Sequence, residues 1–270
     1  YDLLNRLTAK KQGATTLASY TYDQFGGSYP YGKGQLTTMA DASGSTTYGY
    51  TPRGEILNID QTVDGTTYST YNTYRADGKP NTVVYPTGEI ITYSYDAAGR
   101  QNGLTSSLGE VFQSNVSYDA VGQKTYEIFG NGQQTQYSYD ALSKRLTSTI
   151  TGDVATLQER FRRDFTYDLA GNVQTIASMD SLNANEIMRY SYDHRERVTN
   201  ACAVTSSSSS VCIGGATFNQ SYSYDVLGNI TTKAGVTYSY TNGKPHAVSS
   251  VGGQNYTYDN NGNMLNDILF

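Results

Sequence analysis

Several aspartates in this chain follow a tyrosine directly and precede a glycine by three residues, among them Asp96 before Gly99, Asp119 before Gly122, Asp168 before Gly171, Asp225 before Gly228 and Asp259 before Gly262. Paired carboxylates can run acid–base chemistry, but this spacing assigns them another task. Asp at the first position of a type I turn accepts backbone N–H groups two residues on. Gly three residues later supplies the positive φ that closes a hairpin with a bulge. These ten residues are therefore expected to make turns.

The tyrosines come in pairs: Tyr93 and Tyr95, Tyr137 and Tyr139, Tyr190 and Tyr192, Tyr222 and Tyr224. Aromatic faces stack on sugar rings and neighbouring hydroxyls supply polar contacts, so these eight are candidate ligand-facing aromatics with a glycan as ligand. The competing role is packing in a wall, where Tyr combines a large buried area with a hydrogen-bonding tip.

Cys202 and Cys212 are the only thiols. A disulfide between them would close a loop of about ten residues, worth just under ~3 kcal/mol in the chain-entropy model; two unpaired thiols are the alternative. The pair lacks CxxC spacing, and His194 and His246 are the only histidines, so no metal centre is expected. Asp259-Asn260-Asn261-Gly262-Asn263 places oxygen ligands at alternating positions, but its Gly falls at position 4 and position 12 is Phe270, unlike an EF-hand. There is no GxSxG elbow, no recognisable Cys–His setting and no phosphate-binding glycine loop. The expectation is a protein that is not an enzyme and needs no cofactor.

The elements that hold these residues repeat. Aligned on the aromatic pair, units begin at Tyr20, Tyr48, Tyr71, Tyr93, Val116, Tyr137, Phe165, Tyr190, Tyr222, Tyr238 and Tyr256. Half of the spacings fall between 21 and 25 residues, which suits two short strands and two turns. Residues i and i+2 of a strand share a face. The residue between the aromatics is Ser or Thr in nine of eleven units, so one sheet face carries tyrosines and the other hydroxyls. The unit from Tyr71 to Tyr74 has one extra residue, which reads as a bulge. Second strands such as Asn229-Ile230-Thr231-Thr232 follow the glycine, and turns such as Asp64-Gly65, Asp77-Gly78 and Asn131-Gly132 return the chain. No helical stripe persuades. Residues 151–164 read as an insertion or long hairpin tip, and 200–216, with its serine run, as a long loop.

Charged residues make up 16% of the chain, net charge is −5 and the pI is near 5.0, which argues against a nucleic-acid partner. No apolar run is long enough for a membrane helix, and no leader opens the chain. It begins inside a repeat, at Tyr1-Asp2-Leu3-Leu4, and so reads as a piece of something longer.

These YxYDxxGN-type units resemble the YD repeats of the RHS family, from Tyr1 to about Leu265. The resemblance implies one all-β YD-repeat domain over residues 1–270, built of tandem hairpins in a continuous, strongly curved or spiralling antiparallel sheet. It also implies a role as a shell or scaffold segment of a secreted or surface protein. In that family such shells belong to polymorphic toxins, C components of insecticidal toxin complexes and teneurin-like proteins. The implied partners are flanking repeats and a C-terminal effector of the parent chain. Gly243-Lys244-Pro245-His246-Ala247-Val248 is similar to the last repeats before the toxins' core region. No DPxGxxP-like stretch with protease aspartates is present, so self-cleavage is not expected of these residues. Roughly 24 strands at about 4.8 Å spacing would make a strip about 115 Å long, or a ring only about 37 Å across. An open or partial shell is expected, and its unpaired end strands invite self-association.

Overall fold

The computed structural model describes residues 1–27, 29–156, 158–180, 183–209, 212 and 218–265, with the backbone alone for 183–185. Strand follows strand, and no helix occurs among the described residues. Where the repeat suggests one domain, the chain divides into two compact units, Tyr1–Gln133 and Gln134–Phe270. In a hairpin array each strand touches only its neighbours, so a long run has no single centre.

The first unit holds β1 (Ala9–Gln12), β2 (Thr15–Tyr22), β3 (Leu36–Asp41), β4 (Gly44–Tyr50), β5 (Ile56–Val63), β6 (Thr66–Tyr74), β7 (Pro80–Val84), β8 (Ile90–Tyr95), β9 (Gln101–Ser106), β10 (Val111–Tyr118) and β11 (Lys124–Phe129). Each pairs antiparallel with the next. The second holds β12 (Gln133–Tyr139), β13 (Leu146–Asp153), β14 (Glu159–Tyr167), β15 (Val173–Asp180), β16 (Asn183–Tyr192), β17 (Val198–Val204), β18 (Asn219–Tyr224), β19 (Ile230–Lys233), β20 (Val236–Ser239), β21 (Ser250–Val251) and β22 (Gln254–Asn255). From β13 to β22 the same next-neighbour pairing holds. The 22 strands among the described residues compare with the roughly 24 that two per unit would give.

The two-faced pattern is present. In β8, β12, β16 and β18 the tyrosines are half-buried, and Ser94, Ser138, Ser191 and Ser223 between them are exposed. Val116, which replaces a tyrosine, is buried. The register slips at the last residue of the YxY triplet, at Ser94/Tyr95, Thr166/Tyr167, Ser191/Tyr192 and Ser223/Tyr224, which is the bulge expected beside the turn.

The register bears on three expectations. Tyr71 to Tyr74 does hold a bulge, between Thr73 and Tyr74, the same place in the triplet as in the other units, but the triplet starts one residue later than expected. Asn72 holds the first tyrosine's place, and Tyr71, 49% exposed, lies on the hydroxyl face. Residues 151–164 are the end of a long hairpin rather than a long loop, since β13 runs to Asp153 and pairs with β14, which starts at Glu159. Residues 200–204 belong to β17, so any loop there starts at Thr205; of 205–216, only 205–209 and Cys212 are described.

The interior is thin and polar. Thr37, Thr175 and Cys202 are fully buried, and Thr46, Asn58, Ser106, Gln134 and Thr135 are buried beside Tyr50, Ile91, Ala177 and Val204.

Candidate functional site

The YD turns at Asp96, Asp119, Asp168, Asp225 and Asp259 are built alike. Asp96 donates its N–H to the carbonyl of Arg100, and Gly99 donates to the carbonyl of Asp96, both at 2.9 Å. The Asp96 carboxylate then accepts the amides of Ala98 and Arg100 on Oδ1. Asp119, Asp168, Asp225 and Asp259 bind their own turn amides in the same manner. The glycines sit at φ from +74° to +102°, the left-handed region that favours glycine. These carboxylates are committed to their own backbone.

Sequence reasoning missed the residue four beyond each aspartate. Arg6, Arg100 and Arg197 give Nε, and Asn172, Asn229 and Asn263 give Nδ2, to Oδ2 of Asp2, Asp96, Asp193, Asp168, Asp225 and Asp259 respectively, at 2.7–3.1 Å. The signal was present, because Arg or Asn follows the glycine slot in each case. These partners lower the carboxyl pKa values. The Arg197 side chain holds Asp193 down to about 2. Asn229 and Asn263 hold Asp225 and Asp259 below the usual range.

The tyrosine ahead of each aspartate reaches back to the preceding hairpin. Tyr95 donates its phenol to the carbonyl of Pro80, Tyr118 to Gln101, Tyr167 to Leu146, Tyr192 to Val173 and Tyr224 to Val198, at 2.6–2.8 Å. A cation from the preceding turn lies over the same ring: Arg100 over Tyr118, Arg197 over Tyr224 and Arg145 over Tyr167, at 4.5–5.5 Å. Burial raises the pKa values of Tyr95, Tyr192 and Tyr224. At Asp96–Arg100–Tyr118 and Asp193–Arg197–Tyr224, aspartate, cation and tyrosine thus form a latch that ties one hairpin to the next; elsewhere the tyrosine's bond to the preceding strand ties them.

These ties take up Tyr95, Tyr192 and Tyr224 among the candidate aromatics, while Tyr222 donates to Oε1 of Gln220 at 2.6 Å. Tyr93, Tyr137, Tyr139 and Tyr190 are half-buried on the same face. Tyr190 and Tyr192 also line an open polar cleft of about 370 Å³ with Gln174, Arg189 and His194. Cys202 and Cys212 are joined in a disulfide, with Cα atoms 5.7 Å apart. Glu127 is a further residue the sequence did not mark. It is 3% exposed in β11, and its Oε2 accepts from Gln113 at 2.5 Å and Lys124 at 2.9 Å. Among the described residues, no three His, Cys, Asp or Glu side chains cluster as metal ligands.

Hairpins linked in series by a turn carboxylate and a backward-reaching tyrosine define a YD-repeat sheet protein. No family model matches the chain. Over 119 residues, 41% of this chain and 12% of the relative, it is 32% identical to the toxin subunit YenC1 of Yersinia entomophaga. Over 176 residues, 62% of this chain and 11% of the relative, it is 30% identical to the double-stranded DNA deaminase toxin A of Burkholderia cenocepacia. The TcdB2–TccC3 complex superposes on 92% of this chain and 15% of its own, with a TM-score of 0.67 and 19% identity. The Tc holotoxin pore of Photorhabdus luminescens covers 96% of this chain and 16% of its own, with a TM-score of 0.66 and 20% identity. The chain spans only 11–12% of the length of the curated relatives. In sequence and in fold the chain is thus similar to toxin proteins built on YD, or RHS, repeats.

Proposed function

We propose that this chain is a wall segment of a longer toxin-associated RHS protein, helping to enclose or display a C-terminal effector domain. The observation that carries the reading is the latch: nearly every recurring residue is spent on joining one hairpin to the next, which leaves a sheet rather than a reaction centre. The fold shared with the TcdB2–TccC3 complex over 92% of the chain supports it. Export from the cell is part of the same reading, and the Cys202–Cys212 disulfide favours it because such bonds persist in oxidising compartments. Limited proteolysis of the parent protein, with and without these 270 residues, tests the role. The intact parent should shield its C-terminal domain and the deleted form should lose that domain quickly. Equal resistance in the two would sink the proposal.

A second reading is glycan binding in the cleft beside Tyr190, where an aromatic ring, Gln174, Arg189 and His194 face one space. A glycan array probed with the chain and with Tyr190→Ala should show hits that the variant loses. An array without hits removes this reading.

A further inference from the structure

The residue paired with the middle of a YxY-type triplet lies on the hydroxyl face, because directly paired residues of an antiparallel sheet share a face. In most repeats that place holds a threonine or asparagine: Thr38, Asn58, Thr82, Thr175, Asn200 and Thr232. Two neighbouring repeats of the first unit depart from the pattern. Gly103 stands opposite Ser94, and Tyr126 stands opposite Ser117. β9 therefore lacks a side chain where β11 gains a ring, with β10 between them.

β10 is itself irregular. β4, β6 and β8 keep their register up to the end of the triplet. β10 slips between Val111 and Gln113 and again between Ser114 and Ser117. Asn115 lies in the second slip at φ +49°, a left-handed conformation that asparagine tolerates better than most residues. Bulges of this kind re-aim side chains and collect beside functional sites. The result is an open hollow of about 900 Å³ over β9, β10 and β11, bordered by Ser94, Thr105, Ser114, Asn115, Ser117 and Tyr126. Ligand sites commonly measure about 300–1,000 Å³. None of the lining residues is charged.

That lining selects a ligand class. A phosphate, a uronic acid or an acidic peptide would find no cation there, and an unpaired charge is costly to desolvate. A peptide strand would find no free edge, since β9 and β10 are each paired on both sides. Hydroxyls and amides beside one aromatic ring suit a neutral sugar, which presents an apolar face and a rim of hydroxyls. We propose that the hollow over Gly103 binds a neutral saccharide, with one ring against Tyr126 and its hydroxyls on Ser94, Ser114, Asn115 and Ser117. The site shares no residue with the cleft beside Tyr190 and stands or falls apart from it.

Calorimetric titration of the 270-residue chain with maltose, cellobiose, lactose and N,N′-diacetylchitobiose tests the site. At least one of the four should bind in the millimolar range or tighter. Asn115→Gly removes the amide while glycine keeps the left-handed backbone, so the fold is retained and affinity should fall about tenfold. Tyr126→Leu keeps apolar bulk but removes the ring, and should weaken binding about as much. If Tyr126→Leu loses its strand circular dichroism spectrum, Asn115→Gly alone decides. Tyr190→Ala should bind as the wild type does. Absence of binding to all four sugars overturns the proposal, as does affinity that survives the substitutions in folded chains. Loss of binding in Tyr190→Ala assigns the sugar to the other cleft and overturns it as well. A sulfated heparin disaccharide that binds more tightly than every neutral sugar overturns the neutral assignment.

Discussion

The guanidinium of Arg100 lies 4.6 Å from the ring centre of Tyr118 while its Nε donates to Asp96 at 2.8 Å. One side chain therefore holds its own turn and grips the tyrosine of the next hairpin. The same ring sends its phenol back to the carbonyl of Gln101 at 2.6 Å.

Removing that cation should cost little locally and more than a surface charge ordinarily does. Arg100→Ala is expected to lower unfolding stability by about 1 kcal/mol. Arg100→Lys should recover only part, because an ammonium lacks the planar fork that serves carboxylate and ring together. Urea unfolding of Arg100→Ala, Tyr118→Leu and the double variant closes a mutant cycle. A coupling of zero would mean that the stacked pair is geometry without energy.

The latch also sets a pH window. Arg197 lowers the Asp193 pKa to about 2, and hydrogen bonds lower those of Asp96 and Asp225. A carboxyl whose folded pKa is depressed contributes stability above its unfolded pKa and loses it as pH falls through the folded value. Burial raises the Tyr192 and Tyr224 phenols, and that contribution is complete below their unfolded pKa and lost as pH rises through the folded value. Thermal midpoints should therefore be flat near neutrality. They should fall between about pH 4 and pH 2 and again above about pH 10. A midpoint that holds constant down to pH 2 would contradict the shared carboxylate role.

Much of this was legible because turn chemistry is local. Asp225 and Gly228 disclose a hairpin within four residues, and period-two alternation separates Tyr222 and Tyr224 from Ser223. What lay further off was not legible. The phenol of Tyr224 finds Val198 only after β17 and β18 are in register. Tyr71 misled because residue identity was followed where register decides the face; Asn72 occupies the tyrosine's place. Glu127 reads as a solvent-facing charge until the neighbouring β10 brings Gln113 to it, beside Lys124 of its own strand.

The glycine slot offers a gain-of-stability test. Glu196 occupies it at φ +61°, in the left-handed region that penalises residues with a Cβ by about 1–2 kcal/mol. Glu196→Gly relieves that strain against a larger unfolded-state entropy, for a net gain of under ~1 kcal/mol. Gly228→Ala is the reverse case, at φ +93° with open space around the added carbon, so its cost is backbone strain alone, about 1–2 kcal/mol. Denaturation midpoints should move in opposite directions for the two variants; movement in the same direction would show that the slot does not control the turn.

The disulfide supplies the last test. Cys202 is buried in β17, and its bond to Cys212 closes a segment of ten residues. A loop so short leaves modest entropy to remove from the unfolded chain, so reduction should cost about 2–3 kcal/mol. Cys202→Ala with Cys212→Ala should lose a similar amount, since alanine leaves no unpaired polar group beside Ala201 and Val204. Urea midpoints measured oxidised, reduced and alanine-substituted separate the tether from the packing. If reduction leaves the midpoint unmoved while the alanine pair lowers it, the two sulfur atoms stabilise β17 by filling space rather than by joining the chain.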